Sequence, residues 1–548
     1  MSERTSLSRR EWLISAAALA GAAVVGQPLG NGTLMPEQFH PVNPVNPVQP
    51  FVFDEITIAE LQRGMSSGSL TARGIVSTYT KRINEKNESL RAVIELNPHA
   101  GPIGDGLDAE RKAGKIRGPL HGIPVLIKDN IATLDAMQTT AGSLALVGSK
   151  TPRDAFIVER LRAAGAVILG KTNLSEWANF RSSASTSGWS GRGGQCRNPY
   201  ALDRTPSGSS SGTGVAIAAN LCAIGVGTET DGSIVSPASR CSLVGIKPTV
   251  GLVSRSGIIP ISHSQDTAGP MARTVTDAAI LLGALTGADE RDPATAASAG
   301  HAFTDYTKFL DPKGLAGARI GIPRPHYFGY SAHADELVNA AIELMRSAGA
   351  IIVDPAPIAT AREIDDPEFE VLLYEFKADL NAYLGDLGPG ANVRTLADLI
   401  AWNAAHRTTE MPFFGQDLFE KSQAKGPLTD QAYLDALAKS RRLARAEGID
   451  ATMDKYQLDA LVAPTNDPPT PIDLVNGDCG GGGSCSTPAA VAGYPHITVP
   501  AGYSFGLPSG ISFFGRAWSE PLLIKFAFAY EQASKMRRPP TFPTTAEI

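Results

Sequence analysis

A lysine at the end of an apolar run is the first candidate for chemistry in this sequence. The run Gly122–Ile127 leads directly into Lys128, and the polar residues Asp129 and Asn130 follow it. Burial disfavours the charged form of an amine, so a lysine that ends a buried strand has a lowered pKa. A neutral lysine can act as a general base near neutral pH. The pattern therefore predicts Lys128 as a base.

Two serine-containing segments carry hydroxyls that such a base can activate. The first is the loop Ser207–Gly212 (SGSSSG), and the second is the turn Gly227–Ser233 (GTETDGS). A serine hydroxyl is a poor nucleophile until a base takes its proton. The tight turn before Ser233 can present successive backbone N–H groups to a developing oxyanion. Each segment alone also fits a structural role, but the three together favour serine-based catalysis.

Two further segments match known patterns, but their surroundings argue against both. Gly165–Thr172 fits the phosphate-loop pattern, yet a helix precedes it and its loop positions are Ala, Val, Ile and Leu, which predict a buried strand. We therefore interpret Gly165 as the end of a helix. Gly208–Gly212 fits the nucleophile-elbow pattern, yet the residues before it are polar and interrupted by proline. His406 and His496 lie downstream of it, and nothing in the sequence marks either as a triad member.

Helices alternate with short apolar strands along most of the chain. A helix–glycine–strand pattern occurs at 154–169 and again at 336–353. This alternation predicts an α/β fold with a buried sheet. Residues 362–448 are richer in charged and helix-forming residues, and they predict a helical insertion or lid. The predicted elements nearest the lysine and serine segments are the strand 123–127, the helix 215–221 and the strand 223–226.

The composition excludes several classes of protein. The chain has 548 residues, of which 43% are apolar and 19% charged, so it is neither disordered nor fibrous. Its 49 basic and 55 acidic residues give a net charge of −6, which with no basic runs argues against a nucleic-acid partner. Five cysteines are too few for a disulfide scaffold. None of the nine histidines stands in a metal-binding pattern, so no metal site is predicted.

The first 35 residues predict an export signal of the twin-arginine type. Arg9 and Arg10 stand side by side in Ser8–Leu13, and an apolar run from Leu13 to Val25 follows. Thirteen residues are too few to cross a bilayer as a helix. A charged start, a short apolar stretch and small residues are the features of a secretory signal. We expect a periplasmic or extracellular protein that has no membrane partner after the signal is removed.

The rest of the chain predicts one folded domain with short flanking segments. The closely spaced prolines of 36–52 predict an extended linker, 53–540 the domain, and 541–548 a C-terminal tail. Cys479 and Cys485 flank a glycine loop, and an oxidising compartment permits a disulfide between them. The sequence leaves open whether these two cysteines are bonded or are free thiols.

Lys128, the serine–glycine loop and the turn that ends at Ser233 together resemble the amidase signature family. The step of 24 residues from Ser209 to Ser233 is the spacing that this family uses, and the resemblance covers roughly residues 53–540. It implies a single large α/β domain with a mixed central β-sheet covered by helices.

The resemblance also implies a mechanism, the Ser–cis-Ser–Lys triad. In this scheme Ser233 is the nucleophile, Ser209 is the bridging serine with a cis peptide bond, and Lys128 is the base. Ser210 supports the network, and no cofactor or metal takes part. The implied oxyanion hole consists of the backbone N–H groups of Thr230, Asp231, Gly232 and Ser233.

The sequence departs from the broad family pattern next to these residues. Asp231 stands where most members have glycine, and Val235 stands where many have arginine. Peptide amidases share the aspartate. The three catalytic side chains are intact, so these departures bear on the substrate rather than on the mechanism.

Several stretches are most similar to the bacterial peptide amidases. They are 177–181 (WANFR), 228–233 (TETDGS), 261–267 (ISHSQDT), 373–377 (LYEFK) and 517–521 (AWSEP). The similarity implies an amidase that releases ammonia from the C-terminal carboxamide of peptides.

Three alternatives to this function remain. The first is an exported amidase or esterase that acts on small aryl or aliphatic amides. The second is a glutamine amidotransferase subunit, which needs an aminoacyl-tRNA partner that the export signal argues against. The third is an inactive binding protein of the same fold, which the intact Lys128, Ser209 and Ser233 argue against.

Overall fold

A mixed sheet organises the part of the chain that the computed structural model describes, residues 51–478 and 483–547. Eleven strands form this sheet, and two further short strands pair with each other. The strands are β1 (Val93–Leu96), β2 (Pro124–Lys128), β3 (Val167–Thr172), β4 (Trp189–Ser190), β5 (Gly194–Gln195), β6 (Ile224–Glu229), β7 (Val244–Lys247), β8 (Thr267–Ala272), β9 (Arg319–Gly321), β10 (Ile351–Val353), β11 (Ala460–Pro464), β12 (His496–Ser504) and β13 (Leu507–Phe514). Their order across the sheet is β1-β3-β2-β6-β8-β7-β12-β13-β11-β9-β10.

The pairing changes from parallel to antiparallel next to the predicted catalytic segments. β2 is parallel to both of its neighbours, β3 and β6, whereas β6 pairs antiparallel with β8. Every residue of β2, β3 and β6 is buried. Parallel strands that are covered on both faces have continuous apolar runs, which is why such runs predict these strands. The predicted α/β domain with a mixed central sheet is confirmed.

Seventeen α-helices occur in the described residues. They are α1 (Ile58–Ser67), α2 (Ala72–Leu90), α3 (Ala100–Lys112), α4 (Phe156–Ala163), α5 (Ser211–Ala218), α6 (Val235–Arg240), α7 (Val275–Leu285), α8 (Arg324–Tyr327), α9 (Ala332–Ser347), α10 (Asp365–Asp386), α11 (Leu396–Ala405), α12 (Arg407–Glu410), α13 (Asp417–Gln423), α14 (Gln431–Ala444), α15 (Asp450–Tyr456), α16 (Thr487–Ala492) and α17 (Glu520–Ser534). Their caps follow the local sequence: the Thr71 hydroxyl, for example, accepts the N–H of Gly74 at the start of α2.

The segment that fits the phosphate-loop pattern is a helix end followed by a strand. Gly165 lies just after α4 and has a φ of +79°. A positive φ is typical of a glycine that terminates a helix, so this interpretation of Gly165 is confirmed. Lys171 lies inside the buried strand β3, and its side chain is fully buried.

One helix begins earlier than its apolar residues predict. These residues indicate a helix over 215–221, but α5 spans Ser211–Ala218 because the small residues at its start also adopt helical structure. A Cβ on Gly212 would clash with the backbone carbonyl oxygens of Ala92 and Asn173. This helix therefore packs so closely against the neighbouring chain that small residues are required, which helix propensity alone does not anticipate.

The helix-rich segment 362–448 is part of the core. It contains α10 to α14, and aromatic side chains join it to the chain around residue 180. Trp177 packs edge-to-face on Phe419 with ring centroids 5.8 Å apart, and Phe180 packs on Phe376 at 4.9 Å. The segment is a helical insertion rather than a separate lid.

Several predictions concern the ends of the chain or lie outside the described residues. The predicted export signal, most of the linker and Cys479 lie outside them, and Cys485 is buried. The predicted tail hydrogen-bonds to the domain, from Phe542 N to the Pro199 carbonyl at 3.1 Å and from Glu547 N to that of Phe505 at 3.2 Å. No helix in the described ranges has the length and apolar character to span a bilayer.

Candidate active site

The three predicted catalytic segments meet at one edge of the sheet. In the parallel pair of β2 and β6, Ile127 lies opposite Val226, so β2 ends two residues before β6 on the same side of the sheet. Lys128 is the last residue of β2, and the turn that leads to Ser233 follows β6. The serine–glycine loop leads into α5, whose first two residues are Ser211 and Gly212 of the loop. The carboxyl ends of neighbouring parallel strands are a common place for ligand sites in α/β proteins.

The Lys128 amine is directed at a serine hydroxyl. Its Nζ donates to Ser209 Oγ at 2.7 Å, to Thr228 Oγ1 at 2.9 Å and to the Thr228 carbonyl at 3.2 Å. Lys128 and Ser209 are both fully buried. Two of the three predicted catalytic side chains are therefore in direct contact.

The surroundings of Lys128 favour its neutral form. Burial lowers the pKa of the amine to about 7, and the carboxylates of Asp266 and Glu229 offset part of that effect. An amine with this pKa is substantially deprotonated at neutral pH, so it can accept a proton.

Ser210 joins the serine–glycine loop to the turn. Its backbone N–H donates to the Ser233 carbonyl at 3.1 Å, and its hydroxyl donates to the Thr228 carbonyl at 3.0 Å. The peptide bond between Gly208 and Ser209 is cis, and the Ser209 carbonyl accepts the N–H of Ser175 at 3.1 Å. Ser210 thus holds the loop against the turn, and Ser175 holds the Ser209 carbonyl from a third segment.

The turn from Thr230 to Ser233 presents its backbone donors. Gly232 has a φ of +78°, a conformation that glycine adopts most readily. Within residues 51–478 and 483–547, no hydrogen bond takes the N–H groups of the four turn residues as donors. The Glu229 carboxylate accepts the next two N–H groups, those of Ile234 (2.7 Å) and Val235 (3.0 Å). Rigidly held, unused donors of this kind can stabilise an oxyanion.

A cavity of about 320 Å³ opens onto this arrangement. Its lining includes Ser209, Thr228 and Thr230, together with Asn130 and Asp266. Most of the other lining residues come from 255–263, from the C-terminal half of α10 and from residues 291–292. The cavity is at the lower end of the size range for small-molecule sites.

Sequence and structure comparisons identify the family. The amidase family model matches residues 74–524, which is most of the chain. The chain is an amidase of the amidase signature family. It is therefore a hydrolase of carbon–nitrogen bonds, and the Ser–Ser–Lys triad with an acyl-enzyme intermediate is general to its family.

The relatives of this amidase cover nearly its whole length. A probable amidase of Arabidopsis thaliana is 44% identical over 501 residues, which are 90% of this chain and 92% of that protein. A glutamyl-tRNA(Gln) amidotransferase chain of Halorhodospira halophila is 33% identical, over 87% of this chain and 97% of that protein. The crystal structure of a peptide amidase from Stenotrophomonas maltophilia is 52% identical, with a TM-score of 0.86, over 90% of this chain and 100% of that one.

The structure adds residues to the amidase site that the motifs did not single out. Thr228 accepts hydrogen bonds from Lys128 and, at 3.0 Å, from Asn130 Nδ2. Asp266 accepts the Thr230 hydroxyl at 2.6 Å. Thr228 and Asp266 lie in two of the peptide-amidase-like stretches, but the motifs assign neither of them a role. Only the pairing of β2, β6 and β8 brings these residues together.

The two histidines considered for a serine–histidine triad have other surroundings. His406 stacks on Trp402 with ring centroids 3.9 Å apart. His496 is buried, and its Nε2 lies 2.5 Å from Ser512 Oγ. No hydrogen bond of the described residues connects either histidine to Ser209 or Ser233.

One group in the described residues has ligand atoms close enough to hold a metal ion, His263, Glu375 and Asp379. These side chains already bond to one another and to neighbouring donors: His263 Nδ1 lies 2.9 Å from Asp379, and Glu375 accepts the hydroxyls of Ser262 (2.5 Å) and Tyr433 (2.7 Å). These hydrogen bonds therefore connect α10 to the segment of the cavity wall that contains His263.

Proposed function

We propose that this amidase removes the C-terminal carboxamide nitrogen of peptides as ammonia. The proposal assigns Ser233 as the nucleophile, Ser209 as the bridging serine and Lys128 as the base. The chemistry requires neither a metal nor a cofactor. Its oxyanion hole comprises the backbone N–H groups of Thr230, Asp231, Gly232 and Ser233.

The proposed reaction has two balanced halves. Ser233 Oγ attacks the carboxamide carbon, and its proton passes through Ser209 Oγ to the neutral amine of Lys128. The turn N–H groups stabilise the oxyanion, the proton returns to the leaving nitrogen, and ammonia departs from an ester of Ser233. Water then attacks that ester by the same proton path, and the peptide acid and free serine are released.

Two observations support the proposal, one for the mechanism and one for the substrate. The hydrogen bond of 2.7 Å from Lys128 Nζ to Ser209 Oγ, in a cavity wall, supports the proton relay. The substrate class rests on the similarity to the S. maltophilia peptide amidase, of which this chain covers 100%. A peptide amidase structure of the same 52% identity holds the competitive inhibitor chymostatin.

The experiment measures ammonia release from a short peptide with a C-terminal amide and, in parallel, from a simple aryl carboxamide. Ser233→Ala is the blank, and Ser298→Ala is a matched control because Ser298 is a buried serine that bonds to the Thr295 carbonyl. We expect fast release from the peptide amide, the same rate in the control, and a loss of at least about 10³-fold in the blank.

Each result separates the alternatives. Release mainly from the aryl amide would move the substrate to small amides and leave the mechanism intact. Full activity of Ser233→Ala would overturn the assigned nucleophile. Ammonia release that depends on an added aminoacyl-tRNA would favour the amidotransferase alternative.

We also propose that the protein is exported by the twin-arginine route. The pair Arg9 and Arg10 before the apolar run Leu13–Val25 supports this. Replacing both arginines by lysine should leave the protein in the cytoplasmic fraction with its signal uncleaved. Arg4→Lys is the matched control and should not affect export; export of the double variant at the normal level would rule the route out.

A further inference from the structure

A single carboxylate in the cavity wall connects the predicted oxyanion turn to the loop 261–265. Asp266 Oδ1 accepts the Thr230 hydroxyl at 2.6 Å. Its other oxygen, Oδ2, accepts the backbone N–H groups of Ile261 at 2.8 Å and Ser262 at 2.9 Å. Hydrogen bonds to an ionised acceptor are stronger than neutral ones. Both oxygens of Asp266 are thus used, one toward the turn and one toward the loop.

The loop itself is held by one acidic face of α10. Glu368, Glu375 and Asp379 are seven and four residues apart, which places them on the same side of this helix. The bonds run from Gln265 Nε2 to Glu368 at 2.8 Å, from Ser262 Oγ to Glu375 at 2.5 Å and from His263 N to Asp379 at 2.9 Å. The helical insertion therefore reaches the turn through this loop and Asp266.

Asp266 also acts on the site through its charge. Burial raises the pKa of Asp266 to about 6, so it is mostly ionised at neutral pH. Its negative charge raises the pKa of Lys128, as does that of Glu229, and Arg255 is the positive group that favours ionised Asp266. The carboxylate thus faces both the base and the turn.

We propose that Asp266 is a positioning residue of this amidase, whose carboxylate fixes Thr230, and with it the turn before Ser233, against the loop that α10 holds. The proposal rests on the function proposed above. Displacing a catalytic group by about 1 Å can cost about 10²-fold in rate. We therefore expect the loss of the hydrogen bond between Asp266 and Thr230 to change kcat more than KM.

The test replaces each partner of the hydrogen bond between Asp266 and Thr230 by a residue of similar shape. The kcat, the KM and the pH profile of ammonia release are measured for each variant. Asp266→Asn removes the charge, and Thr230→Val removes the hydroxyl but keeps the charge. We expect kcat to fall about 10- to 100-fold in Asp266→Asn and about tenfold in Thr230→Val, with little change in KM. Because both substitutions remove the same hydrogen bond, the kcat of the double variant should be little lower than that of Asp266→Asn alone.

The pH profile separates the effect of the Asp266 charge on Lys128 from the positioning effect of its hydrogen bond to Thr230. Without the Asp266 charge, the pKa of Lys128 falls, so the acid limb of kcat/KM moves to lower pH in Asp266→Asn. It stays in place in Thr230→Val. Asp108→Asn is the matched control, because Asp108 also accepts two backbone N–H groups, those of Ala72 (2.7 Å) and Arg73 (3.0 Å). This control should change neither kcat nor the limb.

Two outcomes would overturn the positioning role. One is a kcat within twofold of wild type in both variants, and the other is strictly additive losses in the double variant. If Asp266→Asn does not fold, Thr230→Val alone decides, by its kcat. If only the positioning role is wrong, Ser233→Ala is still inactive. An active Ser233→Ala would show that the proposed function itself has failed.

Discussion

Two buried lysines on neighbouring strands make an instructive comparison. Lys128 ends β2 and Lys171 lies in β3, and the two parallel strands place Lys171 opposite Ile127. Both side chains are completely buried. Burial lowers the pKa of Lys128 to about 7 and that of Lys171 to about 8. By burial and pKa alone, either lysine qualifies as a base.

The partners of the two amines differ. Lys128 Nζ reaches the Ser209 hydroxyl in the wall of the cavity. Lys171 Nζ donates to the Ile131 carbonyl at 2.6 Å and to Thr139 Oγ1 at 2.8 Å, and the charge of Asp129 offsets its desolvation. Each amine bonds to a hydroxyl, which can both donate and accept a proton, but Ser209 lines the cavity and Thr139 is not among the residues that line it. A lowered pKa makes a lysine available as a base, and its neighbours decide whether it is used.

The largest expected effect is that of Lys128→Met on activity. Without the base, ammonia release should fall by about 10³-fold or more, because the proton relay has no acceptor. The circular dichroism spectrum should match that of the wild type. If Lys128→Met retained a tenth of the activity, the assignment of Lys128 rather than Lys171 as the base would be wrong.

Lys171→Met should affect stability instead. The substitution removes the donor of the Ile131 carbonyl and of the Thr139 hydroxyl, which keep only their mutual hydrogen bond of 3.4 Å. It also removes the positive charge that most favours ionised Asp129. We expect the free energy of unfolding in urea to drop by about 2–4 kcal/mol, with kcat of the folded protein within about threefold. A stable but inactive Lys171→Met would show that this lysine also takes part in catalysis.

The pKa of Lys128 should affect two pH dependences, that of kcat/KM and that of stability. Because the proposed base is the neutral amine of Lys128, kcat/KM should rise about tenfold per pH unit below pH 7 and level off above it. The folded-state pKa lies below the ordinary value of 10.5, so the wild type should gain stability relative to Lys128→Met between about pH 7 and 10.5. Below pH 7 this difference should be constant. An acid limb that disappears in Lys171→Met would contradict the assignment.

The smallest expected effects come from the hydroxyls that accept from the two amines. Thr228→Val should lower kcat/KM about five- to tenfold, because Thr228 Oγ1 accepts from Lys128 and Asn130. Thr139→Val should lower the unfolding free energy by about 1 kcal/mol and leave kcat within twofold. The two variants serve as controls for each other. Equal losses of activity in both would contradict the distinction between a catalytic Lys128 and a structural Lys171.

The strand that contains Lys171 can be predicted from its residues alone. Lys128 and Lys171 both end apolar runs, and Lys171 also fits a phosphate-loop pattern. The apolar loop positions argue against that pattern, and β3 is indeed a strand. Periodicity also predicts the sheet, because strands buried on both faces have long apolar runs. It fails for α5, whose first turn consists of small residues selected by close packing.

The sequence by itself determined the α/β fold, the family, and the three residues proposed for the triad, since each leaves a local signature of type and spacing. Tertiary structure alone decided that Lys128, rather than Lys171, contacts Ser209. It also revealed the tie from Asp266 to Thr230, which are 36 residues apart. Such contacts depend on strand order and register, which side-chain periodicity does not encode, because a strand's apolar pattern is the same whichever neighbour it pairs with.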